Sequence, residues 1–476
     1  MSQLLKPKHF SKFVILGLCS IFGVIIFLVS MNYGMFWDNV LFASKMGNHL
    51  YENDILNWNI PNSFDPGHPP FLGFLLAITW GILGQSLWAS HLLMLPFTVG
   101  ILYQLHKLIF LFTKSSRNSL FGVLLILCDP TFSATLVLVN PETIILFFFF
   151  LAVNGVFYQQ NKWKFIGLFF LSIVSFRSMM LFAGIFLFDV FNQKYIYRKS
   201  FTRIFNKNLI LLYFLSSIPA VIFISWRLIT KGWLQTHPDS PWSSLWGFPS
   251  FKEALTNIVV LFWRYLDYGR IFILFFLVIG LFYLWNKANI PSVIKQLFVL
   301  SITSVFFVIL ASIFSTNAFG HRYFTASYIL LILCSFLILC ELSNCKRLIY
   351  LALLIGLITG NLWIYPEKVS QGWDATLAHI PYHSLRTQGI KFLEKEKINL
   401  EEVGTFFPNY NSQNQITLNG DHRTMDHFDD SSNYVFYSNV YNLNNDELKN
   451  LRNNYQEIKR FSSFQIYISI LKRKSE

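Results

Sequence analysis

Asp38 stands a few residues beyond the first hydrophobic segment (Phe13 to Met31) with Trp37 beside it, and the loop it opens closes on Gly67-His68-Pro69-Pro70 before the chain turns apolar again. Glu142 lies in Asn140-Pro141-Glu142-Thr143 between two apolar runs, Arg177 lies within another, and His321-Arg322-Tyr323 opens a late one. These residue types suit one kind of chemistry. A carboxylate can take the proton of an attacking hydroxyl, while arginine, histidine and hydroxyl donors hold a phosphate as it leaves a carbon centre.

Each residue has a plainer reading beside the chemical one. Asp38 is a candidate general base, and Trp37 a ring that could stack on a sugar or anchor a headgroup; otherwise Asp38 caps a helix over 39 to 47. The proline pair fixes the start of the next helix and holds His68 at its N-terminal end, a candidate phosphate or leaving-group contact or simply a rigid helix start. Glu142 could join Asp38 as a second acid or metal ligand, or could be a first-turn carboxylate complementing the helix dipole. An arginine in an apolar stretch is costly unless it faces water, an acid or a phosphate, which favours a functional Arg177. Arg322 could grip phosphate bidentately, with His321 and Tyr323 as further substrate contacts, or could snorkel to the interface. The His237-Pro238-Asp239 turn reads equally well as a solvated loop, and Asp129 as part of a broken helix.

The elements that must position these groups are transmembrane. Of 476 residues 54% are hydrophobic and only 13% charged, against roughly 25% charged in a soluble domain. The net charge of +13 is uneven: Tyr365 to Glu476 holds 13 Lys/Arg and 14 Asp/Glu, leaving 25 basic and 11 acidic residues in the apolar part. Basic residues flanking apolar runs mark cytoplasmic loops, and no motif points to nucleic acid. Placing Lys6/Lys8/Lys12, Lys107/Lys114/Arg117, Lys162/Lys164, Lys194 to Lys207, Lys287/Lys295 and Lys346/Arg347 in the cytoplasm predicts eleven crossings. They run over about 13–31, 90–112, 119–138, 143–159, 164–176, 178–192, 208–228, 270–286, 297–315, 323–342 and 347–364, with the N-terminus cytoplasmic as an uncleaved signal anchor and the C-terminus outside.

Pro69 to Leu87 breaks this charge pattern if it crosses, so it reads as interfacial or re-entrant. Phe165 to Phe191 is too long for one helix and reads as two short helices meeting near the outer face, which would place Arg177 at the surface. Trp233, Trp242, Trp246 and Trp263 suit helices in the headgroup layer of the outer loop 229–269. The five cysteines form neither a disulfide framework nor a zinc pattern. The division is therefore an all-α polytopic part, 1–364, and a small extramembrane α+β domain, 365–476. Helices are expected there at 385–397 and 446–455, with strands near 403–407, 434–437 and 465–471.

Asp38 after the first span, Gly67-His68-Pro69-Pro70 before an apolar helix, the acid of Asn140-Pro141-Glu142 and the late Arg322-Tyr323 together resemble the multi-pass C-type glycosyltransferases. That group includes protein O-mannosyltransferases, lipid A aminoarabinose transferases and rhizobial lipopolysaccharide galacturonosyltransferases. The resemblance covers about residues 10 to 364. It implies that Asp38 matches the first-loop catalytic acid, that His68 takes the place of a basic residue before Pro-Pro, and that Glu142 stands near the second-loop acid, where the family usually has Asp-Pro. Arg177 falls where members often have lysine or arginine, and Arg322-Tyr323 matches their late Arg-Tyr.

The expected activity is transfer of a sugar, with inversion, from a polyprenyl-phosphate-linked donor to a lipid, glycan or protein acceptor at the outer face of a bacterial inner membrane. Asp38 would accept the acceptor's proton, and His68, Arg177 and Arg322 would steady the departing lipid phosphate. No cofactor is demanded, although paired carboxylates are compatible with a divalent metal. The rivals are a flippase or transporter of lipid-linked oligosaccharide, which should carry cations deep in its spans, and an O-antigen ligase or polymerase.

Overall fold

The computed structural model describes residues 10–235, 237–241, 243, 247–286, 290–316, 318–342 and 345–474. Lys6, Lys8, Trp242, Trp246 and Lys287, used above, lie outside the described residues. The chain is 69% helical, a bundle of apolar helices followed by a small sheet.

Among the described residues five helices are individually long and apolar enough to cross a membrane: Lys12–Ser30, Leu87–Thr113, Lys207–Lys231, Ser292–Ile313 and His321–Glu341. Counting two bent pairs as single spans gives up to seven. One pair, Ser116–Leu127 with Pro130–Val137, turns through 83° inside the expected crossing 119–138. The break has a local cause. Asp129 takes a hydrogen bond from Phe132 N–H at 2.9 Å and Pro130 opens the new helix, so the crossing is broken at Asp129, in keeping with its reading as part of a broken helix. Asp129 also holds Arg270 at 3.0 Å in the buried interior.

Pro69–Leu87 yields only the 13-residue helix Phe71–Leu83. At 1.5 Å per residue this is about 20 Å, short of the roughly 30 Å hydrocarbon core. The long apolar run 165–191 divides as expected, into Asn161–Val174 and Phe176–Phe191. Ser175 and Ser178 form a capping box that terminates one helix and starts the next. Arg177 sits at this junction yet is buried, not solvated.

The polar C-terminal region forms a five-stranded sheet of order β2-β1-β3-β5-β4, with β1 at Val403–Thr405, β2 at Asp426–His427, β3 at Tyr434–Ser438, β4 at Tyr455–Ser463 and β5 at Ile466–Arg473. β1 is parallel to β2 and β3, whereas β5 is antiparallel to β3 and β4. Three of the strands and the helices Ile380–Lys395 and Asn445–Asn454 fall where expected. β4 was not foreseen, because its exposed face carries Gln456, Glu457, Lys459 and Arg460 and reads as loop.

The sheet's hydrophobic core does not stop at the bundle. Phe36, from the loop after the first helix, stacks on His379 and packs edge-on to Tyr382, and Val137 and Leu138 join the same cluster. Met35 N–H donates to the Ile416 carbonyl at 2.8 Å. The loop carrying Asp38 is therefore clamped between the helices and the C-terminal region.

Candidate active site

Asp38 does not cap a helix. Its backbone carbonyl accepts from Leu41 and Phe42, but its side chain turns away and takes a hydrogen bond from Arg322. The turn is set by Trp37, whose φ of +50° is a left-handed conformation that a bulky residue adopts at a cost of about 1–3 kcal/mol. Burial pushes the Asp38 carboxyl up, Arg322 opposes that, and the nearby charges of Asp374 and Glu142 push it up further, so its pKa is raised above the ordinary carboxylate value.

Arg322 is the hub. It stands on the short 3₁₀ turn His321–Phe324 that leads into the helix Thr325–Glu341, and its guanidinium meets three carboxylates: Asp38, Asp374 at 2.7 Å and Glu142 at 3.5 Å. Glu142 also pairs with Arg177, whose guanidinium lies over the Tyr323 ring, 3.8 Å from its centroid. Glu142 is carried on the first turn of Pro141–Phe157, a start fixed by Asn140, whose side chain accepts from Thr143 N–H at 3.0 Å and donates to the Thr135 carbonyl at 2.8 Å.

His68 reaches the same place by a different route. Gly67 adopts φ +85°, and a Cβ there would fall 2.6 Å from the Gln235 carbonyl oxygen, so the loop requires glycine. Asp65, fully buried, receives Gly67 N–H at 2.9 Å and pairs with Arg227 at 3.0 Å, pinning the loop to the helix Lys207–Lys231. The His68 ring packs against Phe42 and Phe176, and Phe176 N–H approaches its Nδ1 at 3.4 Å. Burial first, then Arg177, Arg227 and Arg322, lower its pKa to about 3. The imidazole is thus neutral, and with Nδ1 accepting, Nε2–H is the donor.

These groups surround a cavity of about 270 Å3 lined by Trp37, Asp38, His68, Arg177, Arg322 and Tyr323 among others. Two expected members stand outside the lining. Glu142 lies behind the arginines and holds them. His321 is buried with Nε2 on Asp267 at 2.8 Å and Nδ1 facing Arg264 at 3.3 Å, so it braces the wall and does not face a ligand. Arg264 takes its place in the lining.

The C-terminal region supplies the rest of the wall through Gln371, Trp373, Asp374 and Asn442. Asp374 was missed in the sequence because it falls beyond the last apolar run, in the polar region assigned to the extramembrane α+β domain; the only available signal was an acid beside tryptophan in Gly372-Trp373-Asp374.

Several buried polar atoms around this cavity have no hydrogen-bond partner: the donors Trp37 Nε1, Arg177 Nε and Nη2, and Arg264 Nε, and, behind the arginines, the acceptor Glu142 Oε2. Four donors left open at one place is unusual for a folded interior, where such groups are nearly always satisfied. Among the described residues no group of three or more His, Cys, Asp or Glu side chains is placed to hold a metal ion; here the Arg322 guanidinium lies among the three carboxylates.

No protein-family model matches the sequence, and no curated protein matches it. Solved structures do. A crystal structure of ArnT from Cupriavidus metallidurans bound to undecaprenyl phosphate aligns over 97% of this chain and 98% of its own, with a TM-score of 0.54 at 10% identity. The apo state of the same protein aligns over 95% and 97%, with a TM-score of 0.51 and 10% identity. From the first helix to the last strand, this chain has the ArnT-like fold of a multi-pass membrane protein.

Proposed function

We propose that this protein is an inverting membrane glycosyltransferase that takes its sugar from a polyprenyl-phosphate-linked donor. The observation carrying this reading is that Trp37, Arg177, Arg264 and Arg322 line one cavity together with Asp38, and that the first three carry buried donors without a partner. An anionic, oxygen-rich ligand would complete them, and a carboxylate beside them would accept a proton. That the similar ArnT fold binds undecaprenyl phosphate supports a lipid phosphate as this ligand.

In the reaction, the acceptor hydroxyl attacks the anomeric carbon while Asp38 takes its proton. The new C–O bond forms as the bond to the phosphate oxygen breaks, and the electron pair leaves with the lipid phosphate. Arg177 and Arg322 bind its developing charge and His68 Nε2–H donates to it. A single displacement inverts the anomeric centre. Glu142 positions both arginines. The donor phosphate must draw Arg322 away from Asp38, which frees the carboxylate to act as base only when substrate is seated.

The site lies at the outer face of a bacterial inner membrane, with the N-terminus cytoplasmic and residues 365–476 forming an extracytoplasmic domain that supplies part of the cavity wall. The acceptor is a lipid, glycan or protein of the cell envelope. Purified protein in proteoliposomes, given undecaprenyl-phosphate-linked sugars and envelope acceptors, should release undecaprenyl phosphate. Asp38→Asn should lower that release by about 10²–10⁴-fold, the usual share of a general base, while the variant still binds undecaprenyl phosphate. Undiminished release would reject Asp38 as the base, and failure to bind the lipid phosphate would reject the donor class.

A further inference from the structure

A second cavity, of about 420 Å3, lies at the far end of the helices that carry Glu142 and Arg177. Gly155 on Pro141–Phe157 and Asp189 on Phe176–Phe191 line it, each about 12–13 residues from the catalytic end, or roughly 20 Å at 1.5 Å per residue. Nothing in the proposed transfer reaction uses it.

Its floor is a buried polar network. Lys164 Nζ donates to Asp189 Oδ2 at 2.8 Å, Tyr213 donates to the same oxygen at 3.0 Å, and Gln193 donates to Oδ1 at 3.1 Å. The carboxylate thereby accepts three hydrogen bonds. Asn192, only 1% exposed, accepts from Gln296 at 2.8 Å through Oδ1, yet its Nδ2 has no partner. A buried amide nitrogen without an acceptor costs about 1–3 kcal/mol unless something supplies one. At the rim, exposed Lys199 reaches Gln193 Oε1 at 3.3 Å. Lys164 is balanced by Asp189, so Lys199 and the open Asn192 donor leave a surplus of positive charge and of N–H groups, and no carboxylate is left unsatisfied among the groups just named.

The apolar edge decides how a ligand would approach. Leu209 and Leu212 line the cavity from the helix Lys207–Lys231, and the next residues on that helix, Ile210, Leu211 and Phe214, are exposed apolar side chains facing where lipid would lie. A polar recess beside a lipid-facing helix end suits a headgroup whose chains run down that helix.

We propose that this cavity binds an anionic phosphoryl group, with Asn192 Nδ2 and Lys199 as its donors, and that a phospholipid headgroup of the leaflet opposite the active site supplies it. The proposal does not depend on the transfer reaction.

The test uses full-length protein purified in detergent, with native mass spectrometry of retained phosphatidylglycerol against phosphatidylcholine, and thermal unfolding with and without inorganic phosphate. Wild type should retain phosphatidylglycerol preferentially. Lys199→Gln should weaken that retention about fivefold, the effect of one basic residue at an anionic surface. Asn192→Asp, which keeps the Gln296 contact and replaces the open donor with a carboxylate, should weaken it at least as far. Where Asn192→Asp fails to fold, Leu212→Trp, which fills the cavity from its apolar edge, carries the same expectation. Stabilisation by inorganic phosphate that these variants lose, with lipid retention unchanged, would keep the phosphoryl site and assign it to free phosphate. If neither probe separates wild type from folded Asn192→Asp or Leu212→Trp, the site does not exist.

Discussion

The guanidinium of Arg322 lies 2.7 Å from the carboxylate of Asp374, joining the turn that opens one apolar helix to the segment that follows the last. Because Arg322 also meets Asp38 and Glu142, the residue expected to hold phosphate is ringed by acids from three parts of the chain. Phosphate and carboxylates therefore compete for one cation.

Arg322→Lys keeps the charge but loses the planar fork that reaches several oxygens at once. Transfer should fall about 10²–10³-fold, the cost of removing a principal donor to a developing anion. Steady-state release of the lipid phosphate checks this; a rate within a few-fold of wild type would show that Arg322 serves the fold alone.

Asp374→Asn removes a negative charge that raises the pKa of Asp38. The base works only when ionised, so transfer is gained as pH rises through that raised pKa. Burial remains its largest cause, but without Asp374 the acidic limb of the pH–rate profile should move to lower pH. An unmoved limb would mean that Asp38 does not set it, or that Asp374 does not act on it.

His68 titrates near 3 in the folded protein against an ordinary 6.5. A depressed basic group binds its proton more weakly folded than unfolded, so stability is lost as pH falls from about 6.5 towards 3. His68→Gln should flatten that part of the curve, read as the thermal midpoint by tryptophan fluorescence. The glutamine amide can still donate to the leaving phosphate, so transfer should fall no more than a few-fold, whereas His68→Leu, which has no donor, should slow it about tenfold or more. An unchanged pH slope would place the lost protonation elsewhere.

Asp267 is held below the ordinary carboxylate range: burial opposes its charge, but hydrogen bonds from His321, Tyr365 and Tyr268 N–H outweigh that cost. Asp267→Asn should destabilise the protein by about 3–5 kcal/mol if His321 carries charge and by about 1–3 kcal/mol if the contact is a neutral hydrogen bond. In either case the acidic limb set by Asp38 should stay where it is. A shift of that limb would make Asp267 part of the proton-accepting group and not a brace for the wall.

Much of this was legible in sequence because it is local. Apolar runs bounded by lysine and arginine gave the helices, Ser175 and Asp129-Pro130 carry their own capping signals, and alternation marked three of five strands. Asp38, His68, Arg177, Arg322 and Tyr323 could be singled out because polar groups are scarce in an apolar chain. Convergence is a different matter. The sequence alone could not tell that Glu142 stands behind the arginines, that His321 faces Asp267 and not the cavity, or that Asp374 completes the Arg322 cluster, since each depends on contacts between residues far apart in the chain. Periodicity and capping act within a few residues, whereas the direction of a side chain at a helix end is settled by which neighbour it packs against. Only the tertiary structure decided that.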